Sequence, residues 1–178
     1  MARIPYPKLE DLPDKIRTAA ERLPPLNIMR MFLNAPTNAI PLLSFGQSIL
    51  TRQELDARLR ELAILRVAHL TGATYEWTQH VQIAAEEAGM TEADFAAIEV
   101  GSTDPLWALE EKAALQLVEE LFASKTLEDN TWKELGRYYS ELQIMDMVAA
   151  VGNYTMVSMM LKTFQVPLDD WLERYERF

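Results

Sequence analysis

Apolar residues recur along this chain at spacings of three and four, and no segment shows the strict alternation of a half-buried strand. The pattern therefore predicts helices throughout. An arm containing Pro5 and Pro7 leads to a first helix over about Asp14–Leu23. Pro24-Pro25 stops it, because proline has no N–H to donate and its ring clashes with the preceding turn. Short helices are predicted at about Leu26–Asn34 and Thr37–Leu50. The second is bracketed by Pro36 and expected to break or bend near Pro41. A long helix is predicted from Thr51 to Leu70, since Thr51 and Glu54 have capping-box spacing and Thr71-Gly72 can end it. The next helix covers Thr74–Ala88 and stops at Gly89. Thr91 and Asp94 open a short one over Thr91–Ile98, which stops before Gly101. Asp104-Pro105 starts another over about Leu106–Ser124. Asn130 caps a helix through Tyr139, and Ser140 opens the longest, Glu141–Phe164. Pro167 precedes a terminal helix, Leu168–Arg177. No repeat, low-complexity tract or linker interrupts the series, so one all-α domain spanning residues 1–178 is expected.

Two neighbouring helices carry chemistry. In Glu61–Leu70, seven of ten residues are apolar and spread around most of the circumference, which marks a helix buried on most sides. At about 100° per residue, Glu61 shares a face with Ile64, Leu65 and Ala68. A carboxylate aimed from an apolar face must find a partner or raise its pKa. In the next helix Trp77, Val81, Ala84, Ala85 and Ala88 form an apolar stripe. Glu76 and His80, four residues apart, stack at its edge. The short Thr71-Gly72-Ala73 connection makes the helices antiparallel neighbours, so Glu61 and His80 can meet. Two carboxylates and an imidazole around one pocket can transfer protons. Plainer alternatives stay open: Glu76 and His80 as a helix-surface pair, and Glu61 salt-bridged to an arginine such as Arg58 or Arg66.

Composition narrows the function classes. Apolar residues make up 49% of the 178, enough for a packed core. A formal net charge of -10 disfavours nucleic-acid backbones and anionic membrane surfaces. Cysteine is absent, which excludes disulfides, thiolate nucleophiles and Cys-ligated zinc. Neither a signal-length apolar run at the N-terminus nor a window of about 18 apolar residues is evident. The expectation is a soluble, cytoplasmic protein with no nucleic-acid or membrane partner.

The run Arg60-Glu61-Leu62-Ala63-Ile64-Leu65-Arg66-Val67-Ala68, then Tyr75-Glu76-Trp77-Thr78-Gln79-His80, then Ala88-Gly89-Met90-Thr91, resembles the carboxymuconolactone decarboxylase / alkylhydroperoxidase-D-like family. Pro24 to Met31, Pro41 to Gly46 and Gly152 to Ser158 extend the likeness over about residues 20–168. In the peroxidase branch a Glu precedes a Cys-x-x-Cys pair, and a His follows four residues after it, nineteen residues from the Glu. Glu61 and His80 keep that separation, while the two cysteine positions fall on Ala73 and Glu76. The resemblance implies an alkylhydroperoxidase-D-like helical bundle, assembled into trimers or hexamers. Thiol peroxidase chemistry is impossible without the cysteines. What remains is the non-redox side: a cofactor-free decarboxylase, lyase or isomerase acting on a small organic acid or lactone, as in aromatic-compound catabolism.

On that reading His80 is the general acid/base, and Glu61 orients it or serves as the base. Glu76 lines the pocket, with Tyr75, Trp77 and Tyr154 as further pocket candidates. The competing expectation is a catalytically silent oligomeric scaffold or small-molecule binder that lost the redox cysteines. A metal held by Glu61, Glu76 and His80 is a third reading, although three ligands are few. Met145, Met147, Met156, Met159 and Met160 read as core or subunit contact, and His69 as a structural histidine. Nearby cations for an acidic substrate are limited to Arg58, Arg60 and Arg66, so the substrate can also be neutral.

Overall fold

Caps and breakers set most helix ends in the computed structural model, which describes residues 2–170. After a 3-10 turn at Leu9–Asp11 come α1 (Asp14–Ala20), α2 (Asn27–Phe32), α3 (Pro36–Thr51), α4 (Ala57–Thr71), α5 (Thr74–Ala88), α6 (Glu92–Val100), α7 (Leu109–Ser124), α8 (Asp129–Leu135) and α9 (Glu141–Phe164). Among the described residues there is no strand. Gly72 ends α4 in the left-handed region (φ 61°), where a residue without Cβ meets no steric penalty. Thr91 and Asp94 open α6 and form a capping box there, and Ser140 Oγ accepts from Gln143 N at 3.2 Å to open α9.

Several boundaries differ from the sequence expectation. α4 begins at Ala57, not Thr51. Asp56 is its cap and accepts from Leu59 N at 2.8 Å. Thr51 instead closes α3, its hydroxyl donating to Gln47 O, and Glu54 N donates to Asp146 on α9. The intervening loop lets Leu55 turn into the core. α3 runs unbroken through Pro41. Thr37, whose carbonyl loses its usual i+4 donor there, is exposed and can be solvated. α7 starts at Leu109, because Asp104 Oδ1 accepts from Leu106 N and holds that stretch as a turn. α8 ends at Leu135, a turn short of Tyr139. The expected terminal helix lies outside the described residues except for positions 168–170, which are not helical.

α4 is the centre of the molecule. It packs against α5, α9, α7 and α6, and every residue from Leu59 to Ala68 is buried. Its Leu59, Ala63, Ile64 and Val67 join Leu117 and Val118 of α7 and Met147, Val151 and Tyr154 of α9. Around the helix, Leu62, Leu65 and Ala68 join Trp77, Phe95, Ile98, Trp107 and Leu115. Each fully buried Leu or Ile contributes roughly 2 kcal/mol. A third cluster seats Leu12, Ile28, Met31 and Phe32 on Tyr75, Val157 and Leu161. α9 corrects one expectation: at 24 residues it is long and apolar enough to cross a membrane. Half of its apolar window is buried inside the protein, as a core helix requires.

Two arginines of α4, Arg60 and Arg66, are buried with it. Arg66 donates to the carbonyls of Ile98 (2.8 Å) and Glu99 (3.0 Å) and pairs with Glu119. Arg58, at the edge, pairs with Asp94 and Glu111. The Arg66–Glu119 pair passes directly over Gly101 (φ 100°), where a Cβ would collide with both side chains. Gly101→Ala is therefore expected to cost about 2 kcal/mol or more of stability. Urea denaturation reads this directly, and a loss below about 0.5 kcal/mol would contradict the packing described.

Candidate functional site

Gly72 reverses the chain between α4 and α5 and brings Glu61 against His80. Glu61 Oε2 lies 2.7 Å from His80 Nδ1. Glu61 Oε1 accepts from Arg60 Nε at 2.9 Å. The other end of the imidazole, Nε2, lies 3.3 Å from Glu76 Oε1, one turn back on α5. Arg60 also donates to Glu87 Oε2 (2.7 Å) and to Leu50 O (3.0 Å), tying in the C-terminal ends of α5 and α3. Tyr154 of α9 meets the His80 ring at 88°, centroids 5.0 Å apart. The sequence suggested Arg58 or Arg66 as a partner for Glu61. The partner is Arg60, whose long side chain folds back onto its neighbour while the other two serve α6 and α7.

Burial is nearly complete: Glu61 is 0% exposed, His80 4% and Glu76 6%. Burial alone would push the imidazole toward neutrality. Glu61, then Glu76, overcome it and raise the His80 pKa to about 10. Burial likewise pushes Glu61 up, and His80 and Arg60 overcome this to hold it below the usual carboxylate range. At neutral pH the ring is an imidazolium, and both of its N–H groups face carboxylates. Tyr154 stays protonated, its pKa raised by burial and then by Glu76 and Glu61. Among the described residues no group of three His, Cys, Asp or Glu has the arrangement of a metal site.

His80 and Glu76 form part of the wall of a cavity of about 770 Å³ between α2, α3, α5 and α9. Exposed residues such as Arg22, Gln47 and Thr51 line its rim, and Glu76, His80, Asn153 and Tyr154 line its buried part. Tyr75 also lines it, but the Tyr75 hydroxyl is engaged with Asp169. Glu61 does not reach the cavity; it sits behind His80. Trp77 corrects the sequence expectation. One residue beyond Glu76 is about 100° around the helix, and its ring packs at 0% exposure in the cluster with Leu62, Phe95 and Ile98. Sequence reasoning named Arg60 only as a cation for an acidic substrate, not as the partner of Glu61, and it missed Asn153 and Gln79 as site residues. Asn153 gave a signal, a lone amide inside the apolar face of α9.

The geometry agrees with what the chain resembles. The carboxymuconolactone decarboxylase family model matches residues 39–120, a span that includes Glu61, Glu76 and His80. Over that span, which is less than half of the 178 residues, the chain is similar to that family. Solved structures extend the likeness to nearly the whole chain. An alkylhydroperoxidase AhpD core, an uncharacterized peroxidase-related protein from Ralstonia eutropha JMP134, is 16% identical with a TM-score of 0.81, covering 96% of this chain and 94% of that one. A peroxidase-related protein from Silicibacter sp. TM1040 is 15% identical with a TM-score of 0.78, covering 96% and 92%. The debrominase Bmp8 is 19% identical with a TM-score of 0.69, covering 98% and 94%. At such identities the likeness establishes the fold, an all-α AhpD-like bundle. No curated protein matches the chain by sequence.

Glu61→Gln would leave Arg60 and His80 buried against a neutral amide. It is expected to cost about 3 kcal/mol or more in urea denaturation, and a loss below about 1 kcal/mol would contradict the charge sharing. The raised pKa also has a pH consequence. A folded value of about 10, above the unfolded value of 6.5, makes the stabilisation from His80 complete below pH 6.5. It is lost as pH rises through about 10. The stability difference between wild type and His80→Gln should therefore shrink on going from neutral to alkaline pH, and a difference independent of pH would contradict the assignment.

Proposed function

We propose that this protein is a cofactor-free acid/base enzyme of the decarboxylase, lyase or isomerase type, acting on a small organic molecule of the lactone class. One observation carries the reading: His80, clamped between two carboxylates, forms part of the wall of an open, chiefly apolar cavity. A cavity of this size and lining suits a small ligand. With a pKa of about 10, His80 enters the reaction as the acid, not the base. Glu61 acts through it as a positioning residue, fixing the ring by Nδ1 in the manner of a triad carboxylate. Glu76 is the carboxylate that faces the cavity, and it takes the part of the base.

A proton-balanced cycle follows. Glu76 removes a proton from carbon beside the substrate carbonyl, and the electron pair moves into the enolate. His80 Nε2–H then delivers a proton at the other end of the conjugated system. The proton now on Glu76 returns to His80 across the contact between them, 3.3 Å in the resting site. Substrate is isomerised, and no proton or electron is gained or lost. A debrominase of the same fold was crystallised in complex with 2,3,4-tribromopyrrole. That supports a small ring compound as the ligand, although this chain has no cysteine.

A second reading has its own observation. Both ring nitrogens of His80 are already partnered and Glu61 is sealed, as in a structural hydrogen-bond network of a binder or scaffold. Solvent exchange separates the two. In D2O the protein should accelerate deuterium uptake into α-angelica lactone and its isomerisation, followed by proton NMR. Glu76→Gln and His80→Gln should each lower that rate by about a hundredfold. Rates equal to buffer across a set of neutral enol lactones and cyclic enones would overturn the enzymatic reading.

Self-association is proposed on separate grounds. Of the methionines on α9 only Met147 is fully buried. Met145, Met156 and Met159, with Leu142 and Val148, leave one face of α9 apolar and exposed. Covering such a stripe is favourable, so light scattering should give a trimer, a hexamer or another multiple of 20.4 kDa. The mass of one chain would refute it.

A further inference from the structure

The cavity beside His80 is walled by Ile28, Phe32, Leu42, Leu43, Ile83 and Val157, and its polar groups are few. Two of them lack partners. Asn153, at 5% exposure, has a side-chain carbonyl with no hydrogen bond among the described residues, and so has Gln79. Leaving a buried amide oxygen without a donor is costly, and native interiors leave few such groups. Both residues line the cavity, so their amides are polar groups that a molecule entering it meets beside His80 and Glu76.

Charge narrows the molecule further. The cluster at the buried end sets Glu61, Glu76 and, on its outer side, Glu87 against His80 and Arg60, three carboxylates against two cationic groups. No cation is left over there to meet an anionic ligand. Arg22 is the one Lys or Arg among the lining residues, and it is exposed at the rim. The net charge of -10 repels anions at longer range. A carboxylate carried to the buried end would face Glu76 and lose its hydration without a counter-charge. Turning either side-chain amide over exchanges an acceptor for a donor and leaves this charge argument unchanged.

We propose that the cavity selects an uncharged, chiefly apolar ligand, neutral lactones among them, that it binds most tightly a ligand presenting an O–H or N–H donor to Asn153 and Gln79, and that it rejects the corresponding carboxylate. Phenols, enols and pyrrole- or lactam-type rings are of this class. The inference rests on reading this cavity as the working site, and it names the substrate class for it.

Isothermal titration calorimetry with a matched pair tests it: 4-propylphenol, uncharged at about pH 7, against 4-propylbenzoate. The phenol is expected to bind at least about tenfold tighter. Asn153→Leu should weaken phenol binding by about fivefold or more, and Gln79→Leu should do so independently. Circular dichroism checks that each variant is folded. Equal or tighter binding of the benzoate, or no binding of either compound, would overturn the proposal. So would phenol binding unchanged in both variants. The readout is binding alone. A protein that prefers the phenol yet catalyses no deuterium exchange would uphold this inference while overturning the enzymatic reading.

Discussion

Glu61 lies at zero exposure in the middle of α4, and a carboxylate there is tolerable only while Arg60 and His80 share its charge. Much of the surrounding structure follows from that requirement. Arg60 is itself buried, and it is fixed by Leu50 O at the end of α3 and by Glu87 near the end of α5. His80 needs a carboxylate at its second nitrogen as well, and Glu76 stands one turn away to provide it. Three helices are thus held in register by one cluster of alternating charges. Apolar packing of α4 on α5, α7 and α9 supplies the bulk of the stability, but it is non-directional. The cluster specifies which way α4 and α5 face each other.

In the function proposed here, the same cluster would set up the chemistry. Of the groups Arg60, Glu61, His80 and Glu76, two lie behind the cavity wall and two border the cavity. Arg60 and Glu61 act from behind, and His80 and Glu76 meet what enters. Tyr154 closes one side of the imidazole with its ring edge-on. In the proposed cycle Glu61 stays in place behind the ring as a fixed counter-charge.

Much of this was legible in the sequence, and the failures have physical reasons. The pairing of Glu61 with His80 could be read from their spacing around Gly72, because helix geometry converts residue number into position. The start of α4 could not. Thr51 and Asp56 both look like caps, and the choice was made by tertiary contacts, namely Leu55 entering the core and Glu54 N bonding to Asp146. Trp77 was misassigned because a boundary between stripe and pocket edge is finer than one residue step. Arg60 was overlooked as the partner of Glu61 because neighbours on a helix point about 100° apart, while a long flexible side chain can fold back over that angle. Asn153 shows the limit most plainly. Its position inside the apolar face of α9 was visible, but only the packed structure shows that it lines a cavity and that its carbonyl finds no donor.

The central claim is that Glu61 and Glu76 hold His80 as a buried imidazolium at the cavity wall. Nitrogen-15 NMR of the His80 ring at about pH 8 tests it most directly, since an unperturbed histidine is neutral there. The chain has two histidines, so assignment needs only His69→Gln. The account requires both His80 nitrogens to carry protons, with shifts of the imidazolium type and little titration until the pH nears 10. One protonated and one bare nitrogen at that pH would mean a neutral ring, and the proton donor assigned to this site would not exist.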